Sequence, residues 1–155
     1  MLVVSDTTAI ISLLKIGKID ILSMLFSEVV IARAVHEELL RYHPSIPAFL
    51  EVRSVKDAGL LSTFLGDLDA GEAESIALAV ELGAQALLID ERRGRRIAER
   101  HGLRCLGLAG VTLMAKQRGL IPSVGDLLDD LERNARFYLS PDLKRELIRK
   151  AGESP

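Results

Sequence analysis

Short β-branched apolar runs alternate with longer stretches of helical spacing along most of the chain. Leu2-Val3-Val4 reads as a first strand, and residues 7–16 carry apolar positions at helical spacing that stop near Gly17. A short helix over 19–26 precedes a second strand at Val29-Val30-Ile31. Residues 32–42 form a helix that ends at the His43-Pro44 break, because the residue before proline is pushed out of the helical region. A loop holding Pro44 and Pro47 leads to a strand at 52–55 and a helix at 56–64. The most regular helix spans 72–82 and closes at Gly83, a C-cap. Residues 86–89 are continuously apolar and bounded by Asp90, the mark of a strand buried on both faces. A helix over 91–101, a fifth strand at 103–106 and a helix over 111–118 follow. Two amphipathic segments, 124–133 and 141–150, finish the chain.

Strands alternating with helices predict an α/β fold with a parallel sheet covered on both faces. Ligands in such folds bind beyond the carboxyl ends of the strands, where the strand order switches. No repeat, low-complexity linker or second domain interrupts the pattern. The chain reads as one domain, 1–155, with the residues after about 120 as a C-terminal helical extension.

Composition narrows the class. The chain has 155 residues, long enough for one sizeable core. Its 48% hydrophobic and 27% charged residues are those of a soluble globular protein. With aromatics at only 4%, Leu, Ile, Val and Ala must fill the interior. No apolar stretch approaches the ~20 residues of a membrane span, and the first residues lack a basic segment and cleavage site. A cytoplasmic, non-exported protein is expected. Cys105 is the single cysteine, which excludes an internal disulfide, fits a reducing compartment and predicts a buried, inert thiol. The formal net charge of −2 argues against holding nucleic acid by bulk positive charge, though not against a local basic patch.

Acidic residues stand where this fold would place a site. Asp6 follows the first strand, Glu38 lies in Val35-His36-Glu37-Glu38-Leu39, Glu72 and Glu74 open the most regular helix, and Asp90 and Glu91 follow the buried strand. Carboxylates gathered in one pocket repel, so they imply a divalent cation or raised pKa values. A set without His or Cys favours the hard ions Mg²⁺ or Mn²⁺. Each acid also has a plainer reading. Asp6 precedes Thr7-Thr8 and suits an N-cap, with Thr8 placed to bond a phosphate or orient Asp6. Glu38 borders the Val35/Leu39 stripe, whereas Glu37, roughly 100° away, projects outward. Glu72 and Glu74 lie roughly 200° apart, so they cannot share a site. Periodicity does not choose between them, although Glu72 sits nearer the helix start. Glu91 reads as an auxiliary acid or as a surface partner of Arg95.

Arg92, Arg93, Arg95 and Arg96 crowd the helix after Asp90. Arg92, Arg95 and Arg96 suit a phosphate-gripping rim, since guanidinium pairs bidentately with phosphate; the competing reading is a solvated face laced to Glu91 and Glu99. His36, His43 and His101 are dispersed, and Leu40 stands where a zinc-protease motif would need histidine. No phosphate-cradling Gly-rich loop or nucleophile elbow occurs.

At these acids the chain resembles the PIN-domain family, which includes VapC-type toxins. The likeness rests on Ser5-Asp6-Thr7-Thr8, on Val35-x-x-Glu38-Leu39, and on Gly71-Glu72-Ala73-Glu74-Ser75-Ile76-Ala77-Leu78-Ala79. It is completed by Leu88-Ile89-Asp90-Glu91 with Gly94-Arg95-Arg96-Ile97-Ala98, and spans roughly residues 1–120. It looks nearest a stand-alone prokaryotic subfamily with a Gly-Glu-x-Glu helix. The resemblance implies a three-layer α/β/α sandwich around a mainly parallel sheet of about five strands. It implies catalytic and metal-holding roles for Asp6, Glu38, Glu72 or Glu74, and Asp90, with Mg²⁺ or Mn²⁺ as cofactor and RNA as substrate. Homodimers are frequent in the family, and its toxins pair with a small antitoxin.

The expected activity is metal-dependent hydrolysis of RNA phosphodiester bonds. One rival is a non-catalytic PIN-like module that binds RNA or protein, its acids serving as caps. A phosphoryl-acceptor domain is a second rival, but no lysine follows a strand where that chemistry needs one.

Overall fold

The computed structural model describes residues 1–154. Five parallel strands, β1 (Leu2–Ser5), β2 (Glu28–Ala32), β3 (Leu50–Arg53), β4 (Ala86–Leu88) and β5 (Cys105–Leu106), form one sheet in the order β3-β2-β1-β4-β5. Helices flank it in a three-layer α/β/α arrangement. The chain builds outward from β1 through β2 to β3, then crosses back to lay β4 on the other side of β1. The strand order therefore switches between β1 and β4, and the crevice that such folds use for ligands opens beyond these two carboxyl ends.

Nine helices connect and follow the described strands: α1 (Thr7–Lys15), α2 (Asp20–Leu25), α3 (Arg33–Leu40), α4 (Ala58–Leu65), α5 (Ala70–Leu82), α6 (Arg92–Arg100), α7 (Leu108–Gln117), α8 (Val124–Ala135) and α9 (Pro141–Lys150). Val3, Val4, Val30, Ile31, Leu87 and Leu88 are buried in the sheet, as their continuous apolar runs require. Helix α5 is the central one. It packs on β1, β2 and β4 and is covered in turn by α3, α4 and α6, so Ser75, Leu78 and Ala79 are buried along with Ala73, Ile76 and Ala77. Gly83 ends it at φ 60°, the left-handed C-cap its position predicts.

Several boundaries differ from the sequence pattern, and three of them have a clear physical cause. Strand β3 begins at Leu50, because Leu50 pairs in register with Val29 and is buried while Val52 is exposed. Helix α5 begins at Ala70, because the Asp69 carboxylate accepts the Glu72 N–H at 2.9 Å. Helix α7 begins at Leu108, whose N–H is accepted by Asp90 from the end of β4. In the latter two a cap set the start, and for α7 it lies far away in sequence. Beyond residue 120, α8 buries Val124, Leu127, Leu128 and Leu131 in the same core as the sheet and packs on α1 and α7. Among the described residues no helix is long and apolar enough to cross a membrane.

Candidate active site

Strand β1 ends at Ser5 and delivers Asp6 to the switch point, where the Asp6 N–H donates to Leu88 O at 2.9 Å. Asp6 occupies the N-cap position of α1, yet its side chain makes no capping hydrogen bond. Asp6 is only 5% exposed, and its Oδ1 is buried without a partner. Burial, then the charge of Asp90, raises its pKa from 3.8 to about 7, against the opposing pull of nearby backbone amides at Ala9, Asp90 and Thr8.

Glu72 comes to the same place from the first turn of α5. It lies three residues after the N-cap Asp69, the spacing of a capping box. Its Oε2 is also buried without a partner. Burial, followed by its contacts with Asp69 and Glu91, raises its pKa to about 8. Glu38, half-buried on α3, accepts the Thr7 hydroxyl at 2.8 Å, which ties α3 to the start of α1. Asp6, Glu38, Asp69, Glu72 and Glu91 together line a cavity of about 170 Å³, with Thr7 and Thr8 on its wall.

Asp90 stands apart from that set. Both its oxygens accept the Leu108 N–H, at 3.1 and 3.2 Å, so it caps α7 across the sheet. Burial raises its pKa, opposed by the Leu108 N–H and the charge of Arg95. It lines a second, larger cavity of about 820 Å³, shared with Arg92, Arg95 and Arg96. Among the described residues none of these three arginines forms a salt bridge, whereas Arg93 pairs with Asp67 at 3.1 Å.

The pair that periodicity left open separates by geometry. Glu72 faces the cavity, while Glu74 turns away and accepts the Ala34 N–H at 3.2 Å, closing the start of α3, whose own N-cap is an alanine. Glu91 does not pair with Arg95; it caps its own helix, accepting N–H groups of Arg93 and Gly94. The hydroxyl that orients an acid belongs to Thr7, whose target is Glu38. Thr8 is exposed and lines the cavity. Asp69 and Thr7 are the residues the sequence reading passed over, though the Asp69-x-x-Glu72 capping spacing was a usable signal. Cys105 is half-buried and lines the larger cavity, a correction to its expected full burial. Burial, Glu99 and the opposing charge of Arg95 still leave its thiol raised, so it stays weakly reactive.

The donors around the smaller cavity are all oxygens, two buried carboxylate oxygens lack any partner, and burial raises the pKa of both acids that carry them. This suits a hard cation. Among the described residues no three acids already converge at mutual ligand distance.

A family model described as PIN domain matches residues 2–153. A solved structure, a PilT N-terminus domain protein from the hyperthermophilic archaeon Sulfolobus solfataricus P2, is 18% identical with a TM-score of 0.55, over 72% of this chain and 90% of that one. At that identity the likeness concerns the fold. No curated protein matches the chain. With the match running through nearly all of its length, and the switch point at β1 and β4 ringed by acids, the chain belongs to the PIN-domain family.

Proposed function

We propose that the protein is a metal-dependent endoribonuclease. PIN domains are generally nucleases that use divalent ions. The observation that carries the reading for this chain is the pair of buried, partnerless oxygens, Asp6 Oδ1 and Glu72 Oε2, in a cavity ringed by further acids. A carboxylate serving only as a cap would be expected to have its buried oxygens satisfied, so this pair supports a cation-holding role.

Asp6 and Glu72 would hold Mg²⁺ or Mn²⁺, with Glu38 and Asp90 completing the set directly or through water. Such an ion lowers the pKa of bound water and offsets charge on a scissile phosphate. Thr7 fixes the rotamer of Glu38, and the Leu108 N–H fixes Asp90. Arg92, Arg95 and Arg96 grip phosphates of the strand entering from the larger cavity. A toxin role with a small antitoxin partner, and a homodimer, extend this reading.

The test is cleavage of RNA by pure protein with Mg²⁺ or Mn²⁺, compared with Asp6→Asn and Glu72→Gln. Full activity in both variants removes the assignment. The cap that Asp90 supplies to α7 favours one rival, a non-catalytic RNA-binding module. RNA affinity unchanged by EDTA, without turnover, would select it.

A further inference from the structure

Among the described residues Arg136 is the one non-glycine whose backbone enters the left-handed region, at φ 53°. It is the C-cap of α8, and the Phe137 N–H returns to Leu131 O at 3.0 Å. Glycine is the usual residue for such a turn, since a Cβ strains it. A strained arginine at the edge of a site points to a use for its side chain. The turn delivers residues 137–140 to the mouth of the site. Arg136 lines a cavity of about 230 Å³ with Thr7, Thr8 and Glu38, and Phe137 lines both this cavity and the larger one beside Asp90. Tyr138 also lines the larger cavity and is 70% exposed. The chain has only four Phe and two Tyr, yet one of each stands side by side here.

We propose that residues 136–138 are the strand-gripping edge of the site, with Arg136 on a backbone phosphate beside Glu38 and Tyr138 stacked on an unpaired base. This rests on the nuclease reading, because the strand then passes the acids between the two cavities. The ligand class is single-stranded nucleic acid. Phosphate satisfies arginines that have no carboxylate partner, and an exposed ring offers a base its π-face. A duplex keeps its base faces stacked and has no use for that ring. A purely apolar protein segment would bury Arg92, Arg95 and Arg96 uncompensated.

The experiment is fluorescence anisotropy in EDTA with labelled oligouridylate, oligothymidylate and a hairpin duplex. Tyr138→Ala is expected to weaken both single strands roughly tenfold and by the same factor, since neither contact touches the sugar. Arg136→Gly is expected to weaken binding and to lower the salt slope by roughly 0.7, while its Tm holds or rises as the strained turn relaxes. Arg136→Lys, equally strained, is expected to keep the slope. Wild-type affinity in Arg136→Gly and Tyr138→Ala overturns the proposal. So does equal binding of the duplex, absence of single-strand binding by the wild type, or a fall in Tm that accounts for the loss. If Asp6→Asn abolishes cleavage while both edge variants bind normally, the edge fails and the nuclease reading stands. Edge variants that lose binding in a protein that never cleaves give the reverse result.

Discussion

Asp6 and Asp90 stand at the carboxyl ends of adjacent strands, and only one of them is satisfied. Asp90 accepts the Leu108 N–H through both oxygens, while Asp6 Oδ1 is buried with no partner. Burial and the charge of Asp90 together raise the cost of charging Asp6, the more deeply buried of the two.

That asymmetry sets a pH dependence. Asp6 at about 7 and Glu72 at about 8 hold their protons more tightly in the folded chain than in the unfolded one. Their stabilising contribution is whole below about pH 4 and is lost as pH rises through those folded values. Metal-free protein is expected to lose Tm between about pH 5 and 8, and Asp6→Asn to flatten the fall. Added Mg²⁺ should raise Tm more at the alkaline end, because a carboxylate binds metal deprotonated. Thermal melts across that window check this; a slope identical in the Asn variant would count against it.

Glu72 and Glu74 are expected to behave oppositely. Glu72→Gln removes a buried, unpaired acid, so stability holds or rises while cleavage is lost. Glu74→Ala leaves the Ala34 N–H without its acceptor, costing about 1 kcal/mol, and retains cleavage. Urea titration beside an RNA-cleavage assay separates the two, and the reverse pattern would reassign the third acid.

Gly107 is constrained by contact rather than by dihedral angle. A Cβ there would stand 2.9 Å from Asp90 Oδ1 and 3.1 Å from the Arg95 guanidinium. Gly107→Ala is therefore expected to displace Asp90 and lower kcat while the fold melts within a few degrees of wild type. A normal kcat in this variant would show that the position of Asp90 is not critical.

Glu153 closes the start of α8 from the far end of the chain. It accepts N–H groups of Val124 and Gly125 at 2.7 and 3.1 Å, and the Lys116 ammonium lies 3.1 Å away. Although burial alone raises it, these donors hold its pKa at about 2. Its contribution is present above about pH 4.5 and lost as pH falls through about 2. Glu153→Gln should lower Tm by several degrees near neutral pH, and the gap to wild type should close in acid. A constant gap at all pH values would assign the effect to packing.

The layers of this fold were legible because burial on both faces leaves unbroken apolar runs. Residues 2–4, 29–31 and 86–89 announced three of the five strands, and Gly83 announced the end of α5. A boundary failed where a carboxylate from elsewhere supplied the first hydrogen bond, as Asp90 does for α7. Such caps join residues distant in sequence, and periodicity carries no trace of them.

The sequence by itself determined the α/β class and brought the acids near the switch point to notice, because strand ends and helix starts follow from local hydrophobic period. Only the tertiary structure decided which acids are short of partners. Glu72 and Glu74 are equivalent by spacing, but one meets a cavity and the other a free N–H, and that difference arises from what packs against each face of α5.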